Sequence, residues 1–311
     1  TRSYGKSKTF SRRWHKILKT MNKGPFSYSG NKFRIWKAYL QDVMSEYDKV
    51  HEFFVGSGVC TYNSNNGGIS TDLDSHVVAL HNALKDEQLH TKVENIYNDY
   101  FPNGNDKSCY YKLRIDFNKD YIVNGITETN VAQLYTLLQL SFNSLLRFGP
   151  NGYNVPFGNK KLDIERIRKH SEIFRNKDIS VKLGSYDTID LNNISKEDDV
   201  IYLDPPYVAS KFKYERSTGG WTDIDEANLL DYIDDLNDKG YSFILSNTFS
   251  HRGVNNDRLI EWSKKYNSRF IKMSYNQWAC RVSSVSLEKN TVEVIISNIT
   301  SAFNELPRAH L

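Results

Sequence analysis

The chain has 311 residues, of which 39% are hydrophobic, 25% charged and 13% aromatic, with a mean hydropathy of −0.60. That profile is globular and excludes disordered and collagen-like chains; with no apolar run near the ~18 residues a span requires, it also excludes an integral membrane protein. The net charge is +4, and the three cysteines (Cys60, Cys109, Cys280) lack any CxxC spacing, which argues against a disulfide framework or a cysteine-based metal site and for a reducing cytoplasm. Along the chain, residues 1–23 come first as a basic arm. They hold eight Lys or Arg and no acid, leaving 33 basic against 37 acidic residues elsewhere. Such an arm attracts phosphate non-specifically, and Trp14, Ile17, Leu18 and Met21 fall at helical spacing; a frayed, solvated terminus reads equally well.

Phe33, Trp36, Leu40 and Val43 then form a helical stripe, and Val50–Val55 reads as a buried strand ending in Gly56-Ser57-Gly58. A second strand, Gly68–Thr71, ends at Asp72 and leads to a helix marked by Val77, Leu80 and Leu84. Residues 86–126 are polar, Tyr- and Asn-rich and broken by Pro102-Asn103-Gly104-Asn105. Val131, Leu134, Tyr135, Leu138 and Phe142 mark a strong helix, followed by a turn cluster in which Asn151-Gly152 suits a hairpin. A helix over 162–175, strands at Ile179–Leu183 and Val200–Leu203, and a helix with Leu229, Leu230, Ile233 and Leu236 follow. The last strands are Tyr241–Ser246, Phe270–Met273 and Val292–Ser297. The alternation predicts an α/β sheet with crossover helices and a helical insertion in its middle.

The most informative segment is Ile201-Tyr202-Leu203-Asp204-Pro205-Pro206-Tyr207. An apolar strand delivers an acid, two prolines and a ring at its C-terminal end, where open α/β sheets place ligands. The prolines fix φ and donate no N–H, so their carbonyls are free to face a substrate. Acceptors beside a flat ring suit an exocyclic amine on a planar base. Gly56 and Gly58 allow close approach of backbone to a ligand. Asp72 stands where an acid can take ribose hydroxyls, although helix capping would also use an acid there. No Walker-type phosphate loop is present.

Asp204-Pro205-Pro206-Tyr207 resembles the catalytic motif of amino-methyltransferases, and four further blocks in order narrow the resemblance to Dam-type DNA adenine-N6 methyltransferases. They are Phe26–Lys32, Glu52–Gly58, Asn143–Phe148 continuing to Asn154–Gly158, and Ser246-Asn247 with the loop Arg281–Asn290. The resemblance covers roughly residues 25–298. It implies a Rossmann-like, S-adenosylmethionine-dependent sheet from residues 24–85 and 180–300, with 86–179 as a target-recognition insertion. The catalytic group would be Asp204, Pro205, Pro206 and Tyr207. Tyr28, Lys32, Phe54, Gly56, Ser57, Gly58, Asp72, Ser185, Tyr186 and Asp204 would line the cofactor pocket. Double-stranded DNA would be met by Phe142, Asn143, Leu145, Arg147, Asn154 and Pro156, with Arg147 matched to guanine O6 and N7.

The implied reaction is methylation of N6 of a flipped adenine in GATC or a related site, by a monomer or weak dimer acting on cytoplasmic DNA without a metal. Phe53 replaces the usual Pro before the glycine turn, and Ser27 stands where some members carry a Lys that contacts the flank of the target. Methylation of another amine (cytosine N4, RNA or a protein amide), or a binding protein of the same fold, stands as the alternative.

Overall fold

A computed structural model of the chain describes residues 22–208, 220–251, 253–271, 291–300, 302–303 and 306. The basic arm apart from Asn22 and Lys23, and the loop Arg281–Asn290, lie outside the described residues. The first helix is built from α1 (Phe33–Ile35), a π-helical turn (Trp36–Leu40) and α2 (Gln41–Met44). The wider π turn keeps Trp36, Leu40 and Met44 on one buried face, so Met44, not the expected Val43, closes the stripe. Then come β1 (Lys49–Glu52), α3 (Val59–Asn63), β2 (Gly67–Asp72), α4 (Ser75–Ala83), α5 (Leu89–Tyr100), α6 (Lys107–Asn124) and α7 (Val131–Leu140). The short hairpin strands β3 (Phe148–Gly149) and β4 (Gly152–Tyr153) are followed by α8 (Ile164–Asn176), β5 (Asp178–Leu183) and β6 (Asp199–Leu203). The chain continues through α9 (Asp223–Asp238), β7 (Phe243–His251), β8 (Val254–Asn255), α10 (Asp257–Ser263), β9 (Asn267–Ile271) and β10 (Val292–Ser297).

The central sheet runs β1-β6-β7-β10-β9, with β1, β6 and β7 parallel and β10 antiparallel to both β7 and β9. Successive residues point to opposite faces, and both faces are covered. Ile201, Leu203, Phe243, Leu245, Val294 and Ile296 pack against α9 and α10. Val200, Tyr202, Ile244 and Ile295 pack against the first helix. This is the α/β sheet with crossover helices that the alternating pattern predicts, and its mixed order fits the Rossmann-like fold that the resemblance implies.

The parallel pair β2–β5 is attached to β1 mainly by side chains. His51 is fully buried, its Nδ1 accepting from the Ile69 N–H at 3.0 Å and its Nε2 lying 3.1 Å from Asp199 Oδ2. Accepting at Nδ1 requires the neutral ring, and burial lowers the His51 pKa accordingly. Ser70 Oγ accepts from the Glu52 N–H at 3.3 Å and Thr71 Oγ1 donates to the Phe53 carbonyl at 3.1 Å. Only glycine fits at 68, where a Cβ would stand 2.1 Å from the Val50 carbonyl oxygen.

Three expectations are corrected. The strand expected over Val50–Val55 ends at Glu52, because Phe53 and Val55 send their N–H groups to Tyr202 and Thr71 on two different strands. The helix expected to run to Phe142 ends at Leu140, and Phe142 is 53% exposed on the following turn. The hairpin loop is Pro150-Asn151, not Asn151-Gly152: Gly149 pairs with Gly152, whose φ of +88° takes the left-handed position after the loop. The polar stretch after residue 86 folds as α5 and α6, which bury Leu89, Val93, Tyr110, Leu113 and Phe117 in narrow stripes.

Gly68→Ala is expected to force β1 and β2 apart at a backbone contact, at a cost of about 1–3 kcal/mol. Urea unfolding measures it; an unchanged midpoint would show that the contact is not limiting.

Candidate active site

β6 ends at Leu203 and releases Asp204-Pro205-Pro206-Tyr207 at the C-terminal edge of the sheet. Both oxygens of Asp204 are engaged. Lys32 Nζ lies 2.7 Å from Oδ2, and the Tyr207 hydroxyl donates to Oδ1 at 3.2 Å. Lys32 also donates to the Gly30 carbonyl at 3.0 Å and lies over the Tyr207 ring, 5.1 Å from its centroid. Burial raises the Asp204 pKa above the usual carboxylate range, while Lys32 and the Tyr207 hydroxyl pull it back down. Among the described residues nothing donates to the Pro205 carbonyl.

Lys32 is aimed by its neighbour. Asn31 Oδ1 accepts from the Phe33 N–H at 2.8 Å, and its Nδ2 donates to Ser57 Oγ at 2.6 Å. The turn carrying Lys32 is thereby tied to the glycine turn. Gly56 and Gly58 have φ of +45° and +68°, and a Cβ on Gly56 would meet the Tyr28 ring at 3.0 Å. Beneath them His81 is fully buried, its Nε2 2.9 Å from the Gly56 carbonyl and its Nδ1 3.0 Å from the Tyr62 hydroxyl. Burial pushes the His81 pKa down to about 4, so near neutral pH Nε2–H donates to Gly56 and Nδ1 accepts from Tyr62.

Asp72 faces the same turn. Its Oδ2 accepts from the Gly56 N–H at 3.0 Å and its Oδ1 from the Asp74 N–H at 2.9 Å; burial raises its pKa to about 6. The capping of α4 is done by Asp74, which accepts from the His76 N–H at 2.9 Å, so Asp72 is not the cap. Phe54 and Tyr186 come together at 5.6 Å between ring centroids. Ser185 opens the short 3-10 turn Tyr186–Thr188 and its carbonyl accepts from the Thr188 N–H.

Two residues escaped the sequence reading as site residues. Trp221 sets its ring edge-on to Phe54 at 5.8 Å, and no sequence signal beyond its aromatic character marks it. Glu52 closes β1, accepts from the Thr61 N–H at 2.7 Å, and is pushed by burial to a pKa of about 7, with the Asp204 charge adding to the shift. An acid at a strand end directly before the glycine turn was the available signal.

The segment expected to read DNA forms one braced unit beside this site. The Arg147 Nε donates to Asn154 Oδ1 at 2.6 Å and an Nη donates to the Asn154 carbonyl at 3.0 Å. The Phe142 N–H donates to the Pro156 carbonyl at 2.8 Å. Asn143 and Ser144 both have positive φ, 53° and 49°, while Leu145 is half-buried against the core. The unit's backbone is held by α6: the Tyr110 hydroxyl and Arg114 donate to the Val155 carbonyl, and Asn118 exchanges two hydrogen bonds with Tyr153. Among the described residues no group of three or more His, Cys, Asp or Glu could hold a metal ion, and no helix is long and apolar enough to cross a membrane.

The type II methyltransferase M.FokI of Planomicrobium okeanokoites is 28% identical over 292 residues, 90% of this chain and 43% of that protein. The modification methylase LlaI of Lactococcus lactis subsp. lactis is 30% identical over 256 residues, 78% of this chain and 39% of that protein. The modification methylase StsI of Streptococcus sanguinis is 25% identical over 323 residues, 97% of this chain and 48% of that protein. The chain therefore spans less than half the length of these relatives. A family model for D12 class N6 adenine-specific DNA methyltransferases matches residues 28–281, a span that takes in Lys32, the glycine turn, the braced hairpin and Asp204–Tyr207. The chain belongs to the D12 class N6 adenine-specific DNA methyltransferase family.

Proposed function

We propose that the chain transfers the methyl group of S-adenosylmethionine to N6 of an adenine flipped out of double-stranded DNA, in GATC or a related site. The observation that carries this reading is the Asp204 carboxylate, held between Lys32 and Tyr207 and followed by the Pro205 carbonyl, which accepts from nothing among the described residues. In this reading the sheet performs transfer, residues 86–179 read the target, and a monomer or weak dimer acts on DNA in the cytoplasm.

The residues present fit the donor. Backbone at positive φ at Gly56 and Gly58 leaves room for close approach, with Tyr28 and Ser57 flanking the turn. Asp72 keeps lone pairs for ribose hydroxyls after its bonds to the Gly56 and Asp74 N–H groups, and the cluster of Phe54, Tyr186 and Trp221 offers aromatic surface to a base. When bound, S-adenosylmethionine supplies an electrophilic methyl group on a sulfonium.

The adenine amine is a poor nucleophile because its lone pair is delocalised into the ring. Asp204 and the Pro205 carbonyl would accept hydrogen bonds from its two N–H groups and localise that pair as the nitrogen pyramidalises, and the one proton that the methylated nitrogen then sheds would pass by way of Asp204 to solvent. Acceptors fixed in advance stabilise charge that develops in the transition state. Tyr207 would stack on the flipped base and hold the nitrogen in line. Pro206 keeps the turn rigid. Phe142, on its exposed turn, would wedge into the stack, with Asn143 and Leu145 beside it. Arg147 would present the guanidinium edge not used by Asn154 to a guanine.

Labelled methyl transfer to duplexes with GATC, permuted sites or no adenine tests the reading. Label at adenine N6 is expected, and its absence from every duplex would overturn the assignment. Asp204→Ala should lower transfer at least ~100-fold, the scale of losing a preorganised transition-state partner, with duplex affinity within about twofold.

The reaction needs Asp204 charged, so the rate should fall as pH drops through its pKa, which lies above the usual value near ~4. Lys32→Gln removes the cation that stabilises the charged form and should move this acid limb to higher pH. A limb that stays in place in the kcat profile would assign it to another group. Arg147→Ala should cost about 1–3 kcal/mol of discrimination between sites; an unchanged order of preference would remove Arg147 from recognition.

A further inference from the structure

His76 joins the cofactor side of the molecule to the hairpin that carries Arg147. Its Nδ1 lies 2.8 Å from Asp74 Oδ1, the same oxygen that accepts from the His76 backbone N–H at 2.9 Å. With Nδ1–H donating to the carboxylate, Nε2 accepts from the Tyr121 hydroxyl at 2.9 Å. The ring is fixed at both nitrogens and stacks on Phe148, with centroids 3.8 Å apart and planes inclined by 16°. Phe148 directly follows Arg147, pairs with Tyr153 across the hairpin, and also touches the rings of Tyr121 and Phe117. At the other end, the Asp74 N–H donates to Asp72 Oδ1, while Oδ2 of the same carboxylate accepts from the Gly56 N–H.

We propose that His76 is a positioning residue that sets the Arg147 hairpin from the cofactor side, so that occupancy of the Asp72 pocket and recognition of the target bases are thermodynamically linked through it. The proposal rests on the functional reading above. A ligand hydroxyl that takes Asp72 competes for the oxygen holding the Asp74 N–H. Any adjustment of the 72–74 turn moves the carboxylate that orients His76, and with it the ring face on which Phe148 rests. The path from Asp72 through Asp74 and His76 to Phe148 is three contacts long, and all four of these residues are half-buried. Linkage of this kind is reciprocal: the factor by which one ligand tightens the other must be the same in both directions.

The probe is S-adenosylhomocysteine, which lacks the transferable methyl group, and the duplex is the one labelled fastest in the transfer assay. Dissociation constants are measured for the full chain with each ligand alone and in the presence of the other. In the native chain each ligand should tighten the other at least about fivefold. His76→Ala should bring that factor close to one and lower discrimination between the labelled and a permuted duplex about tenfold or more. Tyr121→Phe, which removes only the hydroxyl held by Nε2, should lower the same two quantities part-way and decides the matter if His76→Ala does not fold. A fall in thermal stability with linkage and discrimination unchanged in both variants would make His76 a packing residue and overturn the proposal. Methyl transfer without linkage in the native chain would also overturn it while leaving the functional reading intact. No transfer to any duplex would remove both.

Discussion

Asp204 is a carboxyl group largely withdrawn from water and set against a cation, and much of the surrounding structure bears on that pairing. Burial alone drives the proton on. Lys32, 172 residues away in sequence, opposes this at 2.7 Å, and it is held there by a turn that Asn31 ties to Ser57. The tie needs the glycine turn to pass close by, and a Cβ on Gly24 would stand 2.2 Å from the Ser57 carbonyl oxygen. The glycine turn in turn rests on a neutral His81. Glu52 lies within the electrostatic reach of Asp204 and shifts to about 7, so near neutrality it takes up a proton with little cost. The two carboxyls thus differ in partner: the Lys32 cation favours the charged form of Asp204, whereas Glu52 has no cation beside it among the described residues and is readily neutralised.

The sheet and the strand-end motifs were legible because each rests on a local rule. An apolar run such as Val200–Leu203 is buried on both faces whatever surrounds it, and a glycine with φ of +45° leaves its mark as Gly56 in the sequence. The unit that brackets Arg147 was legible only in part. Residues 86–126 look turn-rich by composition, yet Tyr110, Arg114 and Asn118 fall at i, i+4 and i+8 of α6 and serve the hairpin backbone. A helix face that is polar because another backbone needs its hydrogen bonds cannot be told from a solvated face by period or composition. The same holds for His51, whose bridge to Ile69 replaces a ladder contact, and for Trp221, which meets Phe54 across the fold.

The core beneath the Arg147 hairpin is continuous with that beneath the glycine turn. Phe26, Val55 and Tyr62 belong to the same buried cluster as Leu113, Phe117, Leu137, Tyr153 and Val155. The insertion expected from composition therefore shares its packing with the sheet. Loss of packing under the hairpin would be felt at the glycine turn, because dense interiors transmit a displaced side chain to its neighbours.

On this shared base sits one conformational cost. Asn143 tolerates left-handed backbone comparatively well, but Ser144 beside it does not, and a residue so held costs of order 1–3 kcal/mol. The surroundings enforce it: Lys160 donates to Ser144 Oγ at 2.8 Å, the Phe142 N–H is fixed by Pro156, and a Cβ on Gly158 would stand 2.4 Å from the Ser141 carbonyl oxygen. The effect of these contacts together is to stop α7 at Leu140 and turn the large apolar side chain of Phe142 outward. Phe142 continues the i, i+4 spacing of the buried Leu134 and Leu138, so a longer helix would place its ring on their face. Keeping it exposed has no benefit for folding, and the wedge role proposed for Phe142 in DNA gives the strain a use.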